Sequence, residues 1–330
     1  MSTNSSDLYV RPAIGDWDVL LSFSAALIAV LTVGCNMLLL CVIVKSRAHQ
    51  TPTNIFIGSL AIGEMLIGIF GIPFAAASVI AHDWLFTLTT CRVTGSFHLI
   101  GRTSSTYSLM AVCVDRCIAI SRPLKYPHML TIKSATAVLS CIWLQSVIVA
   151  SLPLGTWGSY KYVATYYLCI LVRNIGERQH ITKEIICSYI PAVVIILSIL
   201  QIIREIKSHH RIFTVIPLPV EVAPGDIIPG IVSGPRAFNR NTSRAMRSLF
   251  IVTCGYALFC LPVTVTNIVH QQSSRSLPPA VVTAIVWLSF LCCVINPIII
   301  ISLNRKFREQ LKSILSLHIP RSCGSWKPPK

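Results

Sequence analysis

Five stretches of this chain carry no Asp, Glu, Lys or Arg: residues 19–44, 134–160, 185–203, 248–274 and 276–304. A bilayer core about 30 Å thick is crossed by ~20 apolar residues in a helix, so each stretch is long enough to span. Two more, 54–81 and 91–114, are apolar but interrupted by charge. In lipid the backbone must satisfy its own hydrogen bonds, which leaves helices or a closed barrel. No strand-length alternation competes, which sets the barrel aside. The pattern predicts an all-α membrane protein, a bundle of seven transmembrane helices at about 19–44, 54–81, 91–116, 134–155, 183–205, 244–270 and 279–303. Pro73 and Pro153 are expected to bend or end the second and fourth spans.

The charge that remains is sorted. Net charge is +16, and the loops after spans one, three and five plus the C-terminal tail hold 20 of the 28 Lys and Arg residues. The positive-inside rule makes that side cytoplasmic. Residues 1–18 are then extracellular, with Asn4 in a glycosylation acceptor triplet, and the chain is expected to be a multi-pass protein of the plasma membrane. The basic charge reports topology and the anionic lipid of the bilayer, not nucleic acid. Residues 1–18 lack the pattern of a cleaved leader. Two of the 13 cysteines, Cys91 and Cys169, fall on the outer side, where bridges persist. No metal cluster or nucleophile–base pair stands out, so neither an enzyme nor a cofactor is expected.

The third span ends in MAVCVDRCIAISRPLKYP, residues 110–127. Asp115-Arg116 closes an apolar span, and Arg122-Pro123-Leu124-Lys125-Tyr126 follows. With Gly34-Cys35-Asn36, Pro191, Phe259-Cys260-Leu261-Pro262 and Asn296-Pro297-Ile298-Ile299-Ile300, this resembles the rhodopsin-like (class A) G-protein-coupled receptors, in their amine-like and orphan branches. The resemblance covers 19–316. It implies that Arg116 faces a heterotrimeric G protein, with Asp115 its resting partner and Pro123 and Leu124 in the coupling loop. It pairs Cys91 with Cys169. It gathers Asn36, Glu64, Ser105, Cys292 and Asn296 into a buried polar core that can hold sodium. It makes Pro191, Pro262 and Pro297 hinges, with Cys260 and Ile300 at switch positions. Trp84 and Trp143 stand where the family has tryptophans, or serve as packing and interfacial anchors.

Several positions depart from the family. Glu64 replaces its Asp; the extra methylene crowds a sodium pocket, and a protonated, merely packed Glu is the alternative. Cys260 stands for a Trp, and Ile199 and Ile300 for two tyrosines that hold the released arginine in the active state. Switching is therefore expected to be atypical. His98, Arg102, Ser105, Leu109, Val112 and Arg116 recur every three or four residues and form one helix face about 27 Å long. Amine receptors of the family carry Asp at the place of His98, and the light receptors carry Lys at the place of Phe290. The expected ligand pocket (His98, Arg102, Lys183, Asn267, His270, Phe290) therefore favours an anionic or hydrogen-bond-accepting ligand over a cationic amine. Glu184, or Glu64 from below, could instead pair with Arg102 and leave the cavity neutral.

Three functions remain in view: a signal-transducing receptor, a signalling-weak receptor that modulates a partner receptor, and a small-solute transporter. The absence of internal repeats counts against the last. Beyond residue 304, Phe307, Leu311, Ile314 and Leu315 give 305–316 the apolar side of a short eighth helix lying on the membrane, followed by a cytoplasmic tail, 317–330. The third cytoplasmic loop, about 208–243, is rich in Pro and Gly and reads as disordered.

Overall fold

The computed structural model describes residues 14–45, 51–154, 158–172, 184–215, 255, 258–259, 262–266 and 277–318. Helix α1 runs Asp16–Lys45. The second span is two helices, α2 (Pro52–Phe70) and α3 (Ile72–Ala81), broken at Gly71. Pro73 lies in the first turn of α3, where its missing N–H costs nothing. Helix α4 runs Leu88–Ser121, beyond the expected 91–116 at both ends; its start is fixed by Thr87, which accepts from the Thr90 amide at 3.2 Å. A short α5 (Tyr126–Met129) precedes α6 (Ile132–Ser151), whose start is fixed by a capping box between Thr131 and Ser134.

The loop after α6 adds the one β element among the described residues. Strands β1 (Ser159–Val163) and β2 (Leu168–Val172) form an antiparallel hairpin with Tyr162 opposite Cys169. The reverse turn is reached through Tyr167 at φ 53°. A π-helical turn (Ile185–Tyr189) opens the fifth span and continues as α7 (Ile190–Val215). The first residues of the loop expected to be disordered, 208–215, are thus helical; the rest of that loop lies outside the described residues. Helices α8 (Pro279–Leu303) and α9 (Arg305–His318) complete the order. Among the described residues, five segments are long and apolar enough to cross a membrane: Asp16–Lys45, Pro52–Ala81, Ile132–Ser151, Ile185–Glu205 and Pro279–Leu303. Most of the expected sixth span is outside the described residues, though 262–266 are helical.

Helix α4 is the centre post, packed on α2, α6, α7 and both strands. It carries Arg92, Arg102, Asp115 and Arg116 and buries Thr94, Thr103, Ser104, Ser105, Thr106 and Ser108. Polar side chains at membrane depth belong inside a bundle, and several bond to protein. Thr106 donates to the Arg102 carbonyl at 2.9 Å, and Ser108 to Ser59 at 2.8 Å, while the Trp143 indole also reaches Ser59 at 3.0 Å. The α2–α4 crossing is set by two glycines. A Cβ at Gly101 would lie 2.6 Å from the Gly63 carbonyl, and one at Gly63 would lie 2.4 Å from Ser105 Oγ. Small residues let helix backbones approach closely in a bilayer.

Two apolar cores lie along this post. The inner one joins Leu39, Phe56, Leu109, Val112, Ile300 and Phe307. The outer one joins Ile72, Val79, Tyr166, Trp287 and Phe290.

Candidate functional site: two ends of one helix

At the inner end of α4, Asp115 is fully buried. Its Oδ2 accepts from Arg116 Nε at 2.8 Å and from Thr53 Oγ1 at 2.5 Å, and lies 2.7 Å from a second Arg116 nitrogen. Its Oδ1 accepts from the Tyr126 hydroxyl at 2.8 Å. A buried carboxylate is tolerated when its oxygens are met by donors and an opposite charge. Burial, and then the Asp115 carboxylate, push the Tyr126 phenol up, so it remains a donor. Arg116 keeps about a quarter of its side chain exposed. In the loop that follows α4, Leu124 is 91% exposed and Pro123 is exposed too. Thr53 and Tyr126 were not singled out as site residues in the sequence. Tyr126 could have been found from its place in the R-P-L-x-Y run; Thr53 left no signal, because a helix-starting Thr is ordinary.

Midway along the bundle, Asn296 Nδ2 donates to Glu64 Oε1 at 2.6 Å, and Glu64 is 3% exposed. Cys292 Sγ lies 3.8 Å from Asn296 Oδ1. Asn36 turns instead to backbone, donating to the carbonyls of Thr32 at 2.9 Å and Cys293 at 3.0 Å. The second of these is the carbonyl that Pro297, four residues on, cannot serve. Ser105 Oγ is buried with no hydrogen-bond partner among the described residues. Of the five expected polar-core residues, Glu64, Asn296 and Cys292 are joined by hydrogen bonds, Asn36 bonds to backbone carbonyls, and Ser105 has no partner among the described residues.

At the outer end, a cavity of about 70 Å³ is lined by His98, Arg102, Tyr160, Glu184, Ser188 and Thr264, among others. That is room for a few waters or a very small ligand group. Its roof is the hairpin, held down by a disulfide between Cys91 and Cys169 with their Cα atoms 5.4 Å apart. Tyr160, 1% exposed, donates to the Ala150 carbonyl at 2.9 Å, and burial pushes its phenol up to about 12. Tyr166 is pushed to about 12 by burial and then by the Glu184 carboxylate. Trp84 stacks on Phe74 and meets Tyr162 at 5.8 Å between ring centroids, bracing the hairpin from the side.

Arg102 and Glu184 face one cavity, and Ser188 donates to Glu184 at 3.2 Å. Phe290 does not line it; it is packed in the outer core beside Trp287. Lys183, Asn267, His270 and the switch position Cys260 lie outside the described residues, as does Asn4. Pro262 starts the short helical run 262–266, Pro191 sits in the first turn of α7, and Pro297 lies inside α8. Ile300 is buried in the inner core, and Ile199 of α7 packs against that core.

A family model described as 7 transmembrane receptor (rhodopsin family) matches residues 35–300. Among curated proteins, the chain is 25% identical to the octopamine receptor beta-1R of Drosophila melanogaster, over 86% of this chain and 59% of that one. It is 27% identical to 5-hydroxytryptamine receptor 4 of Cavia porcellus, over 90% and 79%. It is 28% identical to adenosine receptor A2b of Canis lupus familiaris, over 88% of each.

Proposed function

We propose, since the chain belongs to the rhodopsin family of seven-transmembrane receptors, that it carries an extracellular ligand signal to a heterotrimeric G protein from the plasma membrane, N-terminus outside. The observation that carries this reading is the Asp115–Arg116 pair. A buried acid accepts from Arg116, Thr53 and Tyr126, and the arginine it holds near the helix end is partly exposed, as are Pro123 and Leu124 in the loop that follows. Such a pair is a two-state element: release of Arg116 makes a five-donor cation available to a partner. The resting partner is Asp115, and the inward-facing arginine is the coupling residue. The ligand pocket is the cavity under the hairpin. Its Arg102 and His98 favour an anionic or hydrogen-bond-accepting group over a lone cation, and Glu184 on the facing wall tempers that preference. Glu64 with Asn296 forms the polar core between the two ends, where a proton or sodium would be held.

The test is nucleotide exchange on purified G protein in membranes bearing wild type, Arg116→Ala or Arg102→Gln. Arg116→Ala is expected to abolish receptor-driven exchange with surface delivery intact; unchanged exchange removes Arg116 from the mechanism. A ligand panel split by charge at pH 7 should contain carboxylates that activate wild type and lose potency on Arg102→Gln. Activation by cationic amines alone sinks the anionic preference.

A second reading, weak or atypical signalling, is favoured by one observation. Ile300 belongs to the inner core and Ile199 packs against that core, and neither offers a hydroxyl to a released Arg116. Ile199→Tyr with Ile300→Tyr should then raise efficacy; an unchanged response shows that those positions do not limit switching.

A further inference from the structure

We infer that Asp18 and His82 form a proton-binding clasp on the outer face: protonation of His82 tightens the tie between the outer ends of α1 and α3 and seats the tip of the hairpin that roofs the cavity.

The clasp joins two helix ends by one contact. His82 closes α3 in the left-handed conformation, φ 52° and ψ 15°, which is uncommon for a residue with a side chain. Its Nε2 stands 3.3 Å from Oδ2 of Asp18, in the first turn of α1. The two side chains are only 24% and 19% exposed. The same Asp18 oxygen accepts from the Gly15 amide at 2.9 Å. Backbone therefore positions the acid, and the imidazole meets it from another helix.

The geometry suits a charged imidazole. Nε2 is shut off from solvent, and among the described residues no hydrogen bond satisfies it. A neutral ring in this place leaves a buried polar atom unmatched, which costs free energy. An imidazolium is held by the carboxylate through charge, which needs proximity and tolerates poor alignment. The fold therefore favours the protonated ring.

Histidine is the side chain whose charge changes between about pH 5 and 8. The groups around this one do not share that range. Helix α1 brings Asp16 and Asp18, and Asp83 follows His82 in the chain. The hairpin brings Lys161, Tyr162, Tyr166 and Tyr167, whose three phenols are pushed up by burial. Carboxylates as a class ionise below the histidine range, and amines and phenols above it. Helices α3 and α8 bring no charged residue. The clasp's contribution to stability is then present on the acid side of the histidine range and lost as pH rises through it.

Tyr167 links the clasp to the roof. It turns the hairpin at φ 53° and precedes the bridged Cys169 on the same side of the turn. Its ring meets Trp287 edge-on, with centroids 5.9 Å apart. Burial, and then the Asp18 carboxylate, push its phenol up, so it stays a donor near that acid. Trp287 in turn donates to Ser24 of α1 at 3.0 Å, and Ser22 of α1 to the Ala76 carbonyl of α3 at 2.9 Å. The hairpin tip thus rests on a frame of α1, α3 and α8. Among the described residues of that frame, His82 is the member whose charge responds to pH near neutrality.

Two measurements on the full-length protein test this, and neither needs a ligand or a G protein, so their outcome is separate from that of the receptor reading. The first is thermal stability in detergent across the histidine range, about pH 5.5 to 8, for wild type and His82→Gln. As pH falls, the wild-type midpoint should gain about 1–3 °C on the variant, the worth of a partly exposed ion pair. Asp18→Asn should remove the same gain, and it replaces His82→Gln in both measurements if that variant fails to fold. Parallel curves overturn the proposal. The second reads the roof. Cys187 carries a buried thiol on the cavity wall. Its labelling from outside by a small water-soluble methanethiosulfonate is timed at each pH, with Cys187→Ser as the blank. Dividing the wild-type rate by the His82→Gln rate at the same pH cancels the thiol's own ionisation. That ratio should fall about two- to fivefold from the alkaline to the acid end, the population shift set by such a pair. A ratio that does not change with pH overturns the claim that the clasp seats the hairpin.

Discussion

Helix α4 carries an arginine toward each end, Arg102 and Arg116, fourteen residues and about 21 Å apart, and the bundle treats them in opposite ways. At the inner end the acid is the neighbouring residue, fully buried and bonded from three directions by Arg116, Thr53 and Tyr126. The network closes around that one carboxylate, with Thr53 arriving from the start of α2. At the outer end the acid that shares the arginine's cavity, Glu184, comes from another helix, and a hairpin tied by a disulfide forms the roof. That site is assembled from four distant parts of the chain. A closed network stores one state until something competes for its arginine. An assembled cavity takes its charge balance from how its walls are held. The difference teaches where each end is vulnerable: the outer one to the loss of a tie, the inner one to the loss of a donor.

The largest effect should come from cutting the outer tie. Cys169→Ser opens a link that spans 78 residues of sequence, and bridges of this kind contribute about 2–4 kcal/mol. The hairpin should lift from α4, and thermal stability and surface delivery should both fall sharply. The inner network touches none of these atoms, so the fraction that does reach the surface should keep its basal nucleotide exchange. If stability holds without the bridge, the outer end is not assembled in the way described.

A smaller effect, at the other end, should follow Tyr126→Phe. Hydrogen bonds to charged groups are worth about 1.5–3 kcal/mol, and this change removes one of three from Asp115. Arg116 is then held less firmly, and basal exchange should rise several-fold with little change in expression. Thr53→Val should act in the same direction. No rise in either variant would mean that the donors around Asp115 serve the fold alone.

Much of this was legible in the sequence because its strongest signals are local. A charge-free run of 29 residues, 276–304, has few fates other than a span, and α8 occupies Pro279–Leu303. The Asp115–Arg116 pair was legible because its members adjoin. What did not show was what the folded chain brings together from afar. Thr53 reaches Asp115 across 62 residues of sequence, and Tyr107 reaches Ile186 across 79. Nothing near Tyr107 marks it. The hairpin was missed for another reason. Ser159–Val172 includes Lys161 and a run of tyrosines beside the fourth span, and its pairing depends on the α4 surface and the Cys91 bond beneath it. A position taken from a resemblance says which helix face a residue occupies, not which neighbour lies beside it: Phe290 packs with Trp287 at 5.8 Å between ring centroids and is not among the residues lining the cavity.

The smallest effect tests the outer end by pH. An ordinary phenol titrates near 10, and burial pushes Tyr160 up to about 12. A raised folded value means that the neutral phenol is the form the fold favours. Its contribution is fully present below about pH 10 and is lost as pH rises toward 12, when the donor to the Ala150 carbonyl is removed and a buried anion takes its place. Thermal stability in detergent should therefore be insensitive to this residue's titration through neutral pH and begin to fall above about pH 10. Tyr160→Phe should start about 1–3 °C lower, for want of one hydrogen bond, and then fall less steeply above that pH, because it has no proton to lose. Tyr162 and Tyr166 are also pushed to about 12, so the variant should flatten only part of the slope. Parallel curves for variant and wild type would show that the roof of the cavity does not rest on the Tyr160 phenol.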